Sequence, residues 1–438
     1  MEAVNNAEKL DSRWYARYEA VVFEDYEQFN DNKENRDEQK NRFLAGEIVN
    51  PTFDYPELES FDIDEREEIL IELKNDVLEL EQNETVKKIY RTKINETLAT
   101  LRMLRAAKNG DDRKFSRYAD FIYGKPEGAD VNYIIQHVKE LIEVNEVIEN
   151  KEVQHAIERL KNIFGEIEST IDDGVDKSVL PKGEKKGDLV ENIEEAVTAF
   201  GAALADLKAD DWSVVVDNEK GISSFSVNQE HKIVRVPSED ELKKRAISKR
   251  RLKGLVAHEI GTHVARRTNG ERSKLQLLGL GLDRYIRAEE GIATYNQQLV
   301  EGAKEFAGVP RYLSVAVAKG VDGTPRDFRE TFEVMKDYRL LSSTKKNTDA
   351  AAEIAYNDCV RIFRGTTCTT PGAIYPKDMA YFGNRAIWAL VNKDSDAVEY
   401  FSIGKYDPTN EEHVALLSQL GILDEDLEKL EKEESEQS

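Results

Sequence analysis

Three features of the sequence predict a mostly helical α+β protein. Apolar residues recur at helical spacing through much of the first 170 positions, and three short β-branched runs cluster between 212 and 236. A helical stretch containing His258-Glu259-Ile260-Gly261-Thr262-His263 follows them. The architecture expected is a mostly helical catalytic domain with a small β-sheet over its cleft and a helical N-terminal region. At 438 residues the chain exceeds what a single core usually organises. We therefore expect a helical accessory region over 1–180, a catalytic domain over 181–425 and an acidic tail over 426–438.

Along the chain, residues 1–50 are rich in Asp, Glu, Asn and Lys, with Trp14, Tyr15, Tyr18 and Phe23 able to dock one face of a helical arm. From Asp64 to Ala107, Ile69, Leu70, Leu73, Val77 and Leu80 and then Ile94, Leu98, Leu101 and Leu104 predict a helical hairpin broken near Asn83. Asn109-Gly110-Asp111-Asp112 and Gly124 to Gly128 are turn signals, Val131 to Ile171 is again helical, and Asp172 to Asp188 reads as a linker. Trp212–Asp217, Phe225–Val227 and His231–Val236 read as strands. Ser238, with Glu241 three positions on, then has the pattern of a capping box. Helix is expected from there to a stop at Asn269-Gly270.

Composition narrows the function classes. Hydrophobic residues make up 40% and charged residues 34%, enough for a packed core under a heavily charged surface. A formal charge of -24 argues against a nucleic-acid binder, which must neutralise phosphates with Lys and Arg. No run of eighteen apolar residues and no basic-then-apolar N-terminus is present, so neither a membrane role nor export is expected, and a cytoplasmic location is. Cys359 and Cys368 are too few for a disulfide framework and read as two thiols. The basic block Lys243-Lys244-Arg245, Lys249-Arg250-Arg251 and Lys253 reads as a solvated helix face.

The chemistry concentrates in HEIGTH. In a helical HExxH motif the histidines stand at i and i+4, about 40° apart, and share one face. Here they stand at i and i+5, about 140° apart on an ideal helix, too divergent to chelate one ion. A π-bulge would bring them together, and Gly261 tolerates such distortion. A single Zn²⁺ suits the nitrogen and oxygen donors. The third ligand is expected from Ala288-Glu289-Glu290-Gly291, on a second helix beginning near Tyr285. Glu290 is the choice and Glu289 the fallback, since neighbouring helical residues point about 100° apart. Glu259, next to a ligand, is placed to take a proton from the attacking water and pass it to the leaving amine.

These residues resemble the tyrosine carboxypeptidase family of HExxxH zinc metallopeptidases, which includes the enzyme that removes the C-terminal tyrosine of α-tubulin and whose bacterial relatives bear a QEGLA motif. HEIGTH, Asn269-Gly270 and Glu289-Glu290-Gly291-Ile292-Ala293 match, with Glu289 in place of Gln and Ile292 in place of Leu. Arg361-Ile-Phe-Arg364-Gly365 and Tyr375-Pro-Lys377-Asp378-Met-Ala-Tyr381 extend the resemblance over roughly 200–400. It implies removal of a C-terminal, preferably aromatic residue from a peptide or protein, and it supports Glu290 as the ligand. A free terminal carboxylate calls for cations, and Arg361 and Arg364 are candidates with Lys377 behind them. Tyr381 or Tyr375 is placed to donate to the oxyanion. The alternatives are a zinc endopeptidase, or a non-catalytic binding protein on the same fold.

Overall fold

The computed structural model describes residues 9–169, 175–183, 188–217 and 224–424. The acidic tail at 426–438 and parts of the linker fall outside the described residues. Among the described residues helices dominate, with one three-stranded sheet.

The hairpin forms where its capping residues put it. Asp62 accepts a hydrogen bond from the Glu65 amide at the start of Ile63–Leu80, and Asn83 accepts from the Thr85 and Val86 amides at the start of Glu84–Lys108. The buried stripe of the first helix is Ile63, Leu70, Leu73 and Val77. Ile69 and Leu80, expected on that face, are instead 38% exposed: Ile69 is off the i, i+3, i+7 row, and Leu80, though on it, is the helix's last residue. Trp14 and Tyr18 are fully buried against this hairpin, so the N-terminal arm is part of its core.

Three hydrophobic cores hold the molecule. One joins Phe43 and the helices Gly128–Asn145 and Lys151–Phe164 to Ile292, Phe328, Phe363 and Trp388. A second joins the N-terminal hairpin to Leu275–Leu282, Tyr375, Tyr406 and Leu417. Both draw side chains from either side of residue 180. Each buried Leu, Ile, Val or Phe stabilises by about 1.5–3 kcal/mol, so the two halves of the sequence are coupled by many such contributions. The third core lies under the sheet.

In the sheet, β3 (Ile233–Pro237) is central. It pairs in parallel with β1 (Ser213–Asp217) and antiparallel with β2 (Ser226–Asn228). Val234 and Val236 point into the third core, where Phe200, Trp212, Leu252, Ile260 and Val264 meet them. The last three lie on the helix that carries HEIGTH, so the sheet is packed directly onto that helix.

That helix differs from expectation in three respects. The helix capped by Ser238 ends at Arg245, because Ala246 turns to φ 29°. A new one starts with Ser248 accepting from the Arg251 amide and runs Lys249–His258, then continues as a π-helix over Glu259–Val264 and as α-helix over Ala265–Arg272. Asn269-Gly270 therefore lies within the helix and does not stop it. Gly270 is required for contact, since a Cβ there would stand 2.3 Å from the backbone of Leu278 and Gly279.

The π segment is present, yet Gly261 does not make it possible. Its φ is not positive and a Cβ would meet nothing within 4 Å. Thr262 is the supporting residue: fully buried, it donates from Oγ1 to the Ala257 carbonyl five residues back and accepts from Asn296 Nδ2 at 2.9 Å. Cys359 and Cys368 are both buried free thiols. No helix among the described residues is long and apolar enough to cross a membrane.

Two alanine substitutions in this one helix should therefore behave oppositely. Gly270→Ala is expected to lower stability by about 1–3 kcal/mol through overpacking, whereas Gly261→Ala should lose none. Urea unfolding midpoints of the two variants decide it, and a marked loss in Gly261→Ala would show that the π segment needs glycine after all.

Candidate metal centre

The π segment adds one residue to a turn, and His258 and His263 consequently face each other. Their ring centroids are 5.1 Å apart at 74°. Donor atoms of His258, Glu259 and His263 all lie within 4.8 Å of one another, a group of metal-ligating type. Glu259 is buried, and the Val227 amide of β2 donates to it. The sheet thus reaches the centre through its edge strand.

Glu289 and Glu290 sit on the helix Ile286–Glu301, which starts just after Tyr285. Their environments are opposite. Glu289 accepts from His263 Nδ1 at 2.9 Å and from Arg266 Nη1 at 2.6 Å, and is 2% exposed. Glu290 has one buried carboxylate oxygen without a hydrogen-bond partner among the described residues. Its electrostatic neighbours include His263, Glu259, Arg311 and Tyr381. Glu290 lies outside that three-residue group, near enough to act electrostatically on Glu259 and His263. His258 Nδ1 is likewise buried without a partner.

Two buried polar atoms left without a partner cost about 1–3 kcal/mol each. Two imidazoles and a carboxylate form a donor set that suits zinc, and the carboxylate on His263 Nδ1 is the usual orienting partner of a ligating histidine. The residues fit the ion.

The local field separates the ionisable groups. Burial lowers His258 to about 3, assisted by the adjacent His263. Burial also works against charge on His263, but the Glu289 hydrogen bond and the carboxylates of Glu290 and Glu259 outweigh it and raise its pKa to about 9. Burial raises Glu259 to about 7 and raises Glu290 as well. Glu289 goes the other way: burial is overcome by Arg266 and His263, which hold it at about 2.

Of the remaining sequence candidates, Tyr381 lies at the centre. Its phenol is raised chiefly by the negative charge of Glu290, and the Arg311 guanidinium stands 3.8 Å from its ring centroid. Gly291 permits this approach, because a Cβ there would come within 2.8 Å of the Gly383 backbone, two residues beyond Tyr381. Arg361 holds Asp378 through two hydrogen bonds and has Tyr381 and Glu290 as further neighbours. Lys377 is bound to Asp25 at 2.9 Å, and Tyr375 donates to the same carboxylate at 2.7 Å. Tyr375 is 1% exposed and packs on Phe29 and Tyr123, so its hydroxyl is engaged in the second core. Arg364 lies 6.0 Å from the Tyr375 ring. In the basic block, Lys243, Lys244, Lys249 and Arg251 are each occupied by a nearby carboxylate.

Sequence reasoning missed Arg266 and Arg311. Arg311 has a buried Nη1 without a partner, directly beside Tyr381. Arg266 is 1% exposed and binds Glu289, the Gly404 carbonyl at 2.8 Å and the Tyr406 carbonyl at 2.6 Å. The available signal for Arg266 was its position, three residues after His263 on a face already known to be buried.

Fold and donors together define the class: a helical α+β protein with a His-Glu-His group of metal-ligating type, Glu259 and His263 buried and His258 half-buried. A family model described as microtubule-associated tyrosine carboxypeptidase matches residues 176–427, and the chain belongs to that family. The matched span contains every residue of the centre. No curated protein matches the chain.

Breaking the Arg266–Glu289 pair should be expensive. Arg266→Met is expected to destabilise by about 3–5 kcal/mol, the range for leaving one partner of a buried pair. Arg266→Met with Glu289→Gln should cost less than the two single changes added together. Strict additivity in chemical denaturation would show that the pair is not coupled.

Proposed function

We propose that the chain is a zinc-dependent carboxypeptidase that removes a C-terminal aromatic, tyrosine-like residue from a peptide or protein. The observation that carries this reading is the pair of buried polar atoms without a partner among the described residues, His258 Nδ1 and Glu290 Oε2, beside a buried Glu259. Membership in a family of tyrosine carboxypeptidases supplies the reaction class and the kind of substrate.

In this reading His258, His263 and Glu290 hold the ion, and Glu289 fixes the ring of His263. A bound zinc ion supplies Lewis acidity toward the scissile carbonyl and the attacking water. The chain's own groups perform the remaining steps. Glu259, more basic than a solvated carboxylate because it is buried, takes the proton from water and delivers it to the leaving amine. Tyr381 donates from its hydroxyl to the developing oxyanion, and Arg311 against its ring keeps the phenol in place. We place the catalytic part at 181–425, with 1–180 as a helical scaffold sharing two of its cores.

A peptide ending in tyrosine, incubated with zinc-loaded protein and analysed by mass spectrometry, should lose that one residue. The same peptide amidated at its C-terminus should not be cleaved. Glu259→Gln should lower kcat/KM by about 10²- to 10⁴-fold while keeping zinc, and His263→Asn should lose the metal. Internal fragments from the amidated peptide would identify an endopeptidase instead, and full activity after chelation would eliminate the metal.

A further inference from the structure

A cleft of about 850 Å³, partly open to solvent, is walled by residues one helical turn along the chain from those of the metal centre. Its wall includes Arg267, four residues after His263, and Tyr285 and Ile286, four residues before Glu289 and Glu290. Four helical residues span about 6 Å. A residue just beyond the scissile bond extends about 3.5 Å along the chain, so its side chain and terminal carboxylate come within reach of this cleft.

Lys405 is the exceptional group there. It is 2% exposed, and among the described residues its ammonium has no hydrogen bond and no ion pair. The other lysines of the wall are committed: Lys93 to Glu96 at 2.8 Å and Lys377 to Asp25 at 2.9 Å. Lys405 is also held rigidly. Its amide donates to the Leu278 carbonyl at 2.7 Å and its carbonyl accepts from the Leu282 amide at 2.9 Å, while Arg266 grips the carbonyls on either side. Burial, helped by Arg267 and Arg266, lowers its pKa to about 8 against the opposing charges of Glu289 and Glu24. Around it the cleft mixes rings with the carboxylates of Glu24, Asp25, Glu96 and Glu230, of which Glu96 and Asp25 are engaged by Lys93 and Lys377. Lys405 Nζ lies 5.8 Å from the Tyr285 ring centroid, and Tyr18, Phe23 and Tyr123 contribute further wall.

We propose that this cleft receives the departing aromatic residue, with Lys405 as the anchor for its terminal carboxylate. The inference rests on the carboxypeptidase reading and assigns the substrate's end to a residue outside Arg361, Arg364 and Lys377. An ammonium at the cleft wall, on a fixed backbone and without an ion pair among the described residues, is preorganised for one carboxylate, and the rings admit a flat side chain beside it.

Binding tests it without turnover. Titration calorimetry of the full-length protein uses 3-(4-hydroxyphenyl)propionate, its amide, and propionate. The first should bind about tenfold to a hundredfold more tightly than the amide, the scale of a charge-assisted hydrogen bond, and more tightly than propionate. In Lys405→Met the acid should fall to the affinity of the amide, and the amide should bind as in wild type, which also reports an intact cleft. Equal binding of acid and amide by wild type overturns the proposal, as does no binding of the acid. Propionate binding as tightly as the ring-bearing acid removes the aromatic half. An undiminished preference for the acid in Lys405→Met assigns the carboxylate to another cation and overturns it too. Absence of tyrosine release with this binding pattern intact would refute the carboxypeptidase reading alone.

Discussion

The buried chain of contacts from His263 through Glu289 to Arg266 is the constraint on which the centre depends. All three residues are at most 9% exposed, and no solvent is at hand to replace a lost partner. Charge of both signs is buried here at a cost that only complete hydrogen bonding offsets. Arg266 meets that condition with three acceptors on two separate segments. One side chain therefore ties the HEIGTH helix to the Glu289 helix and to the 404–406 strip. Orientation of a histidine and placement of a lysine become parts of one network.

The same network explains why an i+5 spacing works. A π segment inside an α-helix is a strained local choice that persists only when its surroundings determine it. Here Thr262 and Asn296 bind it to the Glu289 helix on one side, and Ile260 and Val264 bury it against the sheet on the other. The histidines converge because two different packing surfaces hold the backbone between them. Glycine's freedom at position 261 plays no such part.

Much of this was readable from local signals. Capping at Asn83 and Ser238 rests on interactions within a few residues, and the three strands, the helix after Tyr285 and the HEIGTH motif each have a local pattern of residue types. What escaped depends on distance in sequence. Gly270 looks like a helix stop until Gly279 and Leu278 are seen against it. Arg361 and Lys377 look like free cations until Asp378 and Asp25 are found holding them. Conversely Lys405, isolated in a glycine-containing loop, carries no pattern at all, and its burial arises from contacts with residues more than a hundred positions away.

The adjacent glutamates show how far a one-residue step can separate two roles. Glu289 and Glu290 share a helix and a neighbouring histidine, yet one is held at about 2 by Arg266 and His263 while the other is raised by burial. Groups whose environments push them apart in this way generally have different tasks. A carboxylate already satisfied by two strong donors has nothing left for an ion, and one with an empty oxygen does. The step of about 100° between neighbours turns Glu289 toward Arg266 and Glu290 toward Tyr381 and Arg311. Exchanging the two would leave Arg266 without its charge and close the open oxygen, so the order of the pair is fixed by packing on both faces of the helix.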